Sequence, residues 1–164
     1  MISKSFIRTI LIVSVIIINI GCDQVSKKII RHIVYPYETI HLLSDHLTVT
    51  RVENSGAFLS TGDSLPQSAK YIFLSLIPLV AVSLGLIYVF TKRGIPNHML
   101  TGLCFVIGGG IGNLFDRITY GSVTDFLHIR FGIFQTGIFN FADVSILTGI
   151  LIILLQFLFK RKNS

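Results

Sequence analysis

The sequence predicts an integral membrane protein, mainly α-helical, with four transmembrane helices and a small sheet on one side of the bilayer. Three observations predict it. Just over half of the 164 residues are hydrophobic (51%) and only 13% are charged, about half the charge of a soluble domain. Mean hydropathy is +0.74. The apolar residues are gathered into runs of the length that crosses a bilayer, roughly 20 residues. Such a composition excludes a disordered chain and argues against an ordinary cytosolic fold. The net charge of +6, from 14 Lys+Arg against 8 Asp+Glu, would suggest nucleic acid in a soluble protein. Here the basic residues flank apolar runs, so the charge orients the chain in a membrane and no nucleic-acid partner is expected.

The spans follow in order, at about residues 6–25, 71–91, 95–115 and 140–159. The second and third are free of charge. The first reaches full length only by including Arg8 and Asp23, and the fourth only by taking in the stretch that holds Asp143. Arg8 can snorkel to an interface. Lys4, Arg8, the apolar stretch and Gly21-Cys22 also resemble a signal peptide with Cys22 as a lipid attachment site. Asn19, however, stands three residues before Cys22, where such signals favour a large aliphatic residue. Three further spans would also make a lipid anchor superfluous, so this segment is expected to be a retained first span.

Lys4, Arg8, Lys92, Arg93, Lys160, Arg161 and Lys162 border the spans on one side without an acid among them. All eight acids fall in or beside the other two connections. The positive-inside rule then places both termini and the 92–97 turn in the cytoplasm, with segments of about 26–70 and 116–139 outside. Within these, Leu47–Val52 and the alternating Val123–Phe131 are expected strands, and Asn54-Ser55-Gly56 a turn. Cys22 and Cys104 are too few and too far apart for a disulfide framework or a metal site; Cys104 is expected to pack in lipid or against a helix.

Ionisable groups beside hydrocarbon are costly, and are usually paired or functional. Asp23, Asp116, Asp125 and Asp143 fall at the outer ends of the spans or just beyond, with Asn54, Asn113 and Asn140 and the cations Lys27 and Arg117. No nucleophile elbow, HExxH or phosphate-binding loop is present, and the five histidines lack ligand spacing. Neither a metal nor a cofactor is expected. Two close carboxylates suffice to hydrolyse a peptide bond. Like charges disfavour double ionisation, so the pair holds one proton; one member takes a proton from water while the other polarises the carbonyl. Plainer roles compete. Asp143 and Asn140 each fit a helix N-cap. Asp23 is one turn before Lys27 and is expected to pair with it. Asp116 is expected in an ion pair with Arg117, which could otherwise be a snorkelling anchor. Gly108 and Gly112 form a small-xxx-small helix-packing pair. Asp125, with no cation beside it in the sequence, is the better partner for Asp143.

Five blocks then resemble the signatures of the lipoprotein signal peptidase (signal peptidase II) family, in the family's order. They are Asp23-Gln24-Val25-Ser26-Lys27, Asn54-Ser55-Gly56-Ala57-Phe58, the run from Gly108 to Arg117, Val123-Thr124-Asp125-Phe126 and Phe139-Asn140-Phe141-Ala142-Asp143. The resemblance implies a four-helix aspartyl endopeptidase of the bacterial inner membrane, with a small extracytoplasmic antiparallel sheet, often called a cradle. Such an enzyme cleaves prolipoprotein signal peptides just before a cysteine carrying diacylglycerol. It implies Asp125 and Asp143 as the catalytic pair. Asn54, Gly56, Asn113, Arg117 and Asn140 would position substrate or support the pair, and Asp23, Lys27 and Asp116 form a structural tier. The implied partners are lipid-modified prolipoproteins and membrane lipid, and the implied state is a monomer. Ser55, a single Ala57, and Gly110 in place of a common Ala depart from the family pattern. A channel or transporter using the acids for ions or protons, and a non-catalytic assembly subunit packing through Gly108 and Gly112, are the competing classes. Acids confined to one surface argue against the first of these.

Overall fold

The computed structural model describes residues 3–43, 46–56 and 66–162. Ala57 and Phe58 of the second signature block, and Asp45 and Asp63, lie outside the described residues. The described chain forms four long apolar helices and a four-stranded antiparallel sheet. The first helix, Lys4–Ile33, opens on Ser3, whose side chain accepts a bond from Ser5 N–H at 3.3 Å. It is rich in β-branched residues, which are mediocre helix formers in water. In lipid every backbone group must be satisfied within the segment, so the same residues are held helical.

This helix runs well beyond the expected end near Val25. Its buried side chains (Ile12, Ile16, Asn19, Asp23, Lys27 and Ile30) recur at helical spacing along one stripe. The charges that end an apolar run therefore lie on the inward face. There they are paired, and the helix continues past the bundle.

The second helix, Gln67–Thr91, contains a wider π-helical stretch, Tyr71–Leu76, just before Pro78. Proline has no N–H and its ring crowds the carbonyl four residues back. The wider turn absorbs this, with Ile77 N–H bonding Ile72 O. Arg8 reaches the other end of this helix and is partly buried there. Its Nη2 donates to Val89 O (2.7 Å) and Lys92 O (2.8 Å), closing carbonyls the helix leaves unpaired. The third helix, Asn97–Tyr120, ends at Gly121, whose φ of +77° gives the left-handed cap. It too extends past the predicted span.

The third helix is the most buried of the four and packs against the other three. Glycines set how closely. A Cβ on Gly102 would lie 2.8 Å from Gly149 O, so the third helix meets the fourth, Phe141–Lys162, backbone to backbone. On another face, a Cβ on Gly108 would lie 2.8 Å from Asn19 Cβ, and one on Gly112 would meet the Asp23 carboxylate. Gly108 and Gly112 are thus the groove that receives the first helix. Cys104 is buried in this apolar core with Ile12, Ile16 and Ile107.

The sheet lies at the end of the bundle where the first and third helices finish and the second and fourth begin. Its order is β1 (Thr39–Leu42), β2 (Leu47–Asn54), β3 (Val123–Phe131) and β4 (Phe134–Gln135). The two expected strands are β2 and β3; β1 and β4 are additional. Phe126 packs against Ile30 and Val34, so the overhanging end of the first helix supports the sheet. Between the pairs Val49–Leu127 and Val52–Asp125 the register slips by one residue. Such a bulge bends a strand and re-aims the side chains beside it. β3 has no open edge over its middle, because Leu127 exchanges two backbone bonds of 2.8 Å with Phe139.

Candidate active site

The polar residues at this end form two connected tiers. In the inner tier Lys27 Nζ lies 2.8 Å from Asp23 and 3.1 Å from Asp116, all three wholly buried. Arg31 Nη2 is 3.0 Å from Asp116. Gln24 Nε2 reaches Asp23 at 3.0 Å and Asp116 at 3.1 Å. The expected Asp23–Lys27 pair is present. Asp116, however, pairs with Lys27 and Arg31 and not with Arg117, because consecutive helical residues point in different directions. Arg117 Nη2 instead donates to Gly56 O at 2.6 Å.

Lys27 joins this tier to the next. Its Nζ donates to Asn113 Oδ1 (3.0 Å), and Asn113 Nδ2 donates to Asp143 Oδ1 (2.9 Å). Asp23 also accepts from Ala142 N–H at 2.9 Å, so the charge cluster holds the first turn of the fourth helix.

Asn140 precedes that helix and Asp143 is in its first turn. Asp143 N–H donates to Asn140 Oδ1 (3.0 Å), and Asn140 N–H donates to Asp143 Oδ2 (3.1 Å). This reciprocal arrangement is a capping box, with Asn and Asp in place of the commoner Ser/Thr and Glu. Asn140 is therefore the N-cap, as expected, whereas Asp143 stands inside the helix and completes the box from its first turn. The Asn140 amide has a second use: its Nδ2 donates to Asp125 Oδ1 at 2.6 Å. One side chain thus bridges the two aspartates.

Asp125, in β3, sits opposite the bulge in β2. Its other oxygen accepts from Asn54 Nδ2 at 2.9 Å. Asn54 Oδ1 in turn accepts from Gly56 N–H at 2.9 Å, forming the expected turn, and Arg117 clamps the carbonyl of that turn. Burial pushes the Asp125 carboxyl up to about 6. The Asn54 and Asn140 amides favour its anion and oppose the rise, and the neighbouring Asp143 charge adds to it.

Both aspartates line one cavity of about 780 Å³, with Asn54, Asn113 and Arg117 at its polar end. Its remaining wall is mainly apolar, with Phe73, Leu74 and Pro78 of the second helix and Val144, Leu147 and Leu151 of the fourth among its residues. Phe73, Leu147 and Leu151 are also exposed, so the cavity opens sideways between these two helices. Asp116 does not line it. The structure thus brings Asp125, Asp143, Asn54, Asn113, Asn140 and Arg117 together, and sets Asp23, Lys27 and Asp116 behind them.

Sequence reasoning passed over Gln24 and Arg31. Arg31 also donates to Thr124 Oγ1 at 2.8 Å and lies 4.0 Å from the centre of the Tyr120 ring. The available signal was spacing: Asp23, Lys27 and Arg31 recur every four residues and share a helical face.

Fold and site together define a multi-pass membrane protein whose polar centre is a set of carboxylates and amides at the ends of its helices. Residues 15–159 match the family model described as signal peptidase (SPase) II. A lipoprotein signal peptidase of Clostridioides difficile is 32% identical over 94% of this chain and 99% of its own length. One from Halothermothrix orenii is 36% identical over 86% and 90%. A solved structure described as a bacterial membrane enzyme matches the fold with a TM-score of 0.83 at 23% identity, covering 94% of this chain and 91% of its own. The chain belongs to the signal peptidase II family, and is a membrane peptidase.

Proposed function

We propose that the protein is an aspartyl endopeptidase that removes the signal peptide of diacylglyceryl-modified prolipoproteins, cleaving just before the lipidated cysteine. The observation that carries the reading is the Asn140 bridge. It ties to Asp125 the backbone of the helix turn that holds Asp143, at the polar end of a cavity open to lipid. The apolar wall suits a signal segment and acyl chains arriving from the membrane. The carboxylates stand where the polar peptide bond would stop.

The pair shares one proton, because two close carboxylates in a dry site resist double ionisation. Asp125, pushed up to about 6, is the favoured place for it. Asp143 takes a proton from a water molecule as the water oxygen attacks the scissile carbonyl carbon. Asp125 gives its proton to the carbonyl oxygen, producing a gem-diol. The proton on Asp143 then passes to the amide nitrogen, the C–N bond breaks, and Asp125 recovers its proton as the new carboxyl group forms. Asn54, Asn113 and Asn140 hold both carboxyl groups in place, and Arg117 fixes the Asn54–Gly56 turn at the cavity edge. The charges of Asp23, Lys27 and Asp116 serve the frame. In this reading the site faces the outer side of the cytoplasmic membrane, both termini face the cytoplasm, and the chain works as a monomer without metal.

The test is cleavage of a lipidated prolipoprotein by the purified protein with chelator present. Turnover is expected to persist in chelator. Asp125→Asn and Asp143→Asn are each expected to lose it by about a thousandfold or more while keeping their helical signal. Loss of activity on chelation would implicate a metal. An active Asp125→Asn beside an inactive Asp116→Asn would give the partner role to Asp116.

A further inference from the structure

A second cavity, of about 310 Å³, lies on the sheet side of Asp125, lined by Val52, Asn54, Asp125, Gln135, Thr136 and Gly137 among others. Asn54, Asp125 and Thr136 line both cavities, so they form a shared wall. The two spaces differ in character. The larger is walled mainly by apolar side chains of two membrane helices; the smaller is bounded by the strands and the 135–138 segment, and polar groups make up a larger share of its lining. It is too small for a helix, whose diameter with side chains is about 10–12 Å, and takes only extended chain.

We infer that the smaller cavity receives the polypeptide that follows the scissile bond, and that Gln135 limits which side chain fits there. The inference rests on the cleavage reading above. A signal-bearing substrate has a matching asymmetry: an apolar segment before the bond and, beyond the lipidated cysteine whose acyl chains stay with the larger cavity, a more polar chain. With the apolar half in the larger cavity and the bond at Asp125, the continuing chain passes the shared wall into the smaller one. Thr136 is fixed in this path, its hydroxyl accepting from Ile129 N–H at 3.0 Å. Gln135 sits on β4 opposite Arg130 and is exposed, so its side chain forms a rim that can change size without disturbing the core.

The experiment uses the full-length protein and two pairs of lipidated peptides. One pair differs only in the second residue after the cysteine, glycine or tryptophan. The other differs only in the residue just before the cysteine. Gln135→Trp is expected to lower kcat/KM for the tryptophan peptide about tenfold more than for its glycine partner. Gln135→Ala is expected to move that ratio the other way. The ratio for the second pair stays as in the wild type. These ratios are internal, so a change in the amount of folded enzyme cancels. Unchanged first-pair ratios in both variants would overturn the inference, and with Asp125→Asn still inactive they would leave the cleavage reading standing. Movement of the second pair instead would assign the cavity to the signal side. A wild-type protein that cleaves no lipidated peptide overturns the cleavage reading and this inference with it.

Discussion

Asp125 is a buried carboxyl held by two amide donors beside a second carboxylate, and its protonation sets a pH limit on the proposed chemistry. Below about pH 6 it keeps the proton the carbonyl oxygen needs; above, Asp125 ionises and that acid is lost. For the free enzyme, kcat/KM is therefore expected to fall as pH rises through about 6. Asn54 donates to the anion, so Asn54→Ala should move this alkaline limb upward by about one pH unit or more, alongside a lower maximum. An unmoved limb in a pH–rate profile would assign it to another group. Lys27 is the corresponding residue in the inner tier. Lys27→Met leaves Asp23 and Asp116 buried without their shared ammonium, and is expected to cost about 3–5 kcal/mol in reversible unfolding in detergent. Asp23→Asn in that background should recover part of the loss. The Asp23–Lys27 pair was legible because both lie on one helix at a fixed spacing. The partners of Asp116 were not, because they depend on how the first and third helices cross.

At the scale of elements, the helices were legible from apolar length and the two central strands from alternation. Their ends were not. The first helix was expected to stop near its charges, yet Asp23, Lys27 and Arg31 face inward, where Lys27 pairs with Asp23 and both cations pair with Asp116 of the third helix, so it runs on to Ile33. β1 and β4 are short and exposed, with no burial to impose a pattern on their residues. Two neighbouring glycines show what crossing geometry asks of the sequence. A Cβ on Gly109 would collide with the Ala142 carbonyl, a backbone atom in the first turn of the fourth helix, next to Asp143. A Cβ on Gly110 would lie 2.9 Å from Val82 Cγ2, the end of a side chain that can give way. Gly109→Ala is therefore expected to shift the capping turn, costing about 1–3 kcal/mol and a tenfold or greater loss of kcat. Gly110→Ala should leave activity within about twofold, since the displaced methyl stays clear of the carboxylates. Thermal melts and turnover of the two variants side by side check this; equal effects would mean that the crossing does not set the pair's geometry.

For the whole molecule, the segregation of charge has a further consequence. The sheet, both cavities and the carboxylate pair share one end of the bundle, and the 92–97 turn with its basic residues is at the other. A peptidase at that end meets its substrate on whichever side of the membrane the sheet occupies. The positive-inside rule puts it outside, and a lipid-modified cysteine held at the outer interface would then lie level with Asp125 and Asp143. This can be read directly in cells. Cys22 is exposed and Cys104 is buried in the core, so both are replaced first, by serine and alanine. Single cysteines are then placed at Ile133, which is 91% exposed between β3 and β4, and at Arg93, which is exposed in the opposite turn. A membrane-impermeant maleimide should label Ile133→Cys in intact spheroplasts, and Arg93→Cys only after lysis. The reverse pattern would put the aspartates on the cytoplasmic face, where a substrate lipidated at the outer surface could not reach them.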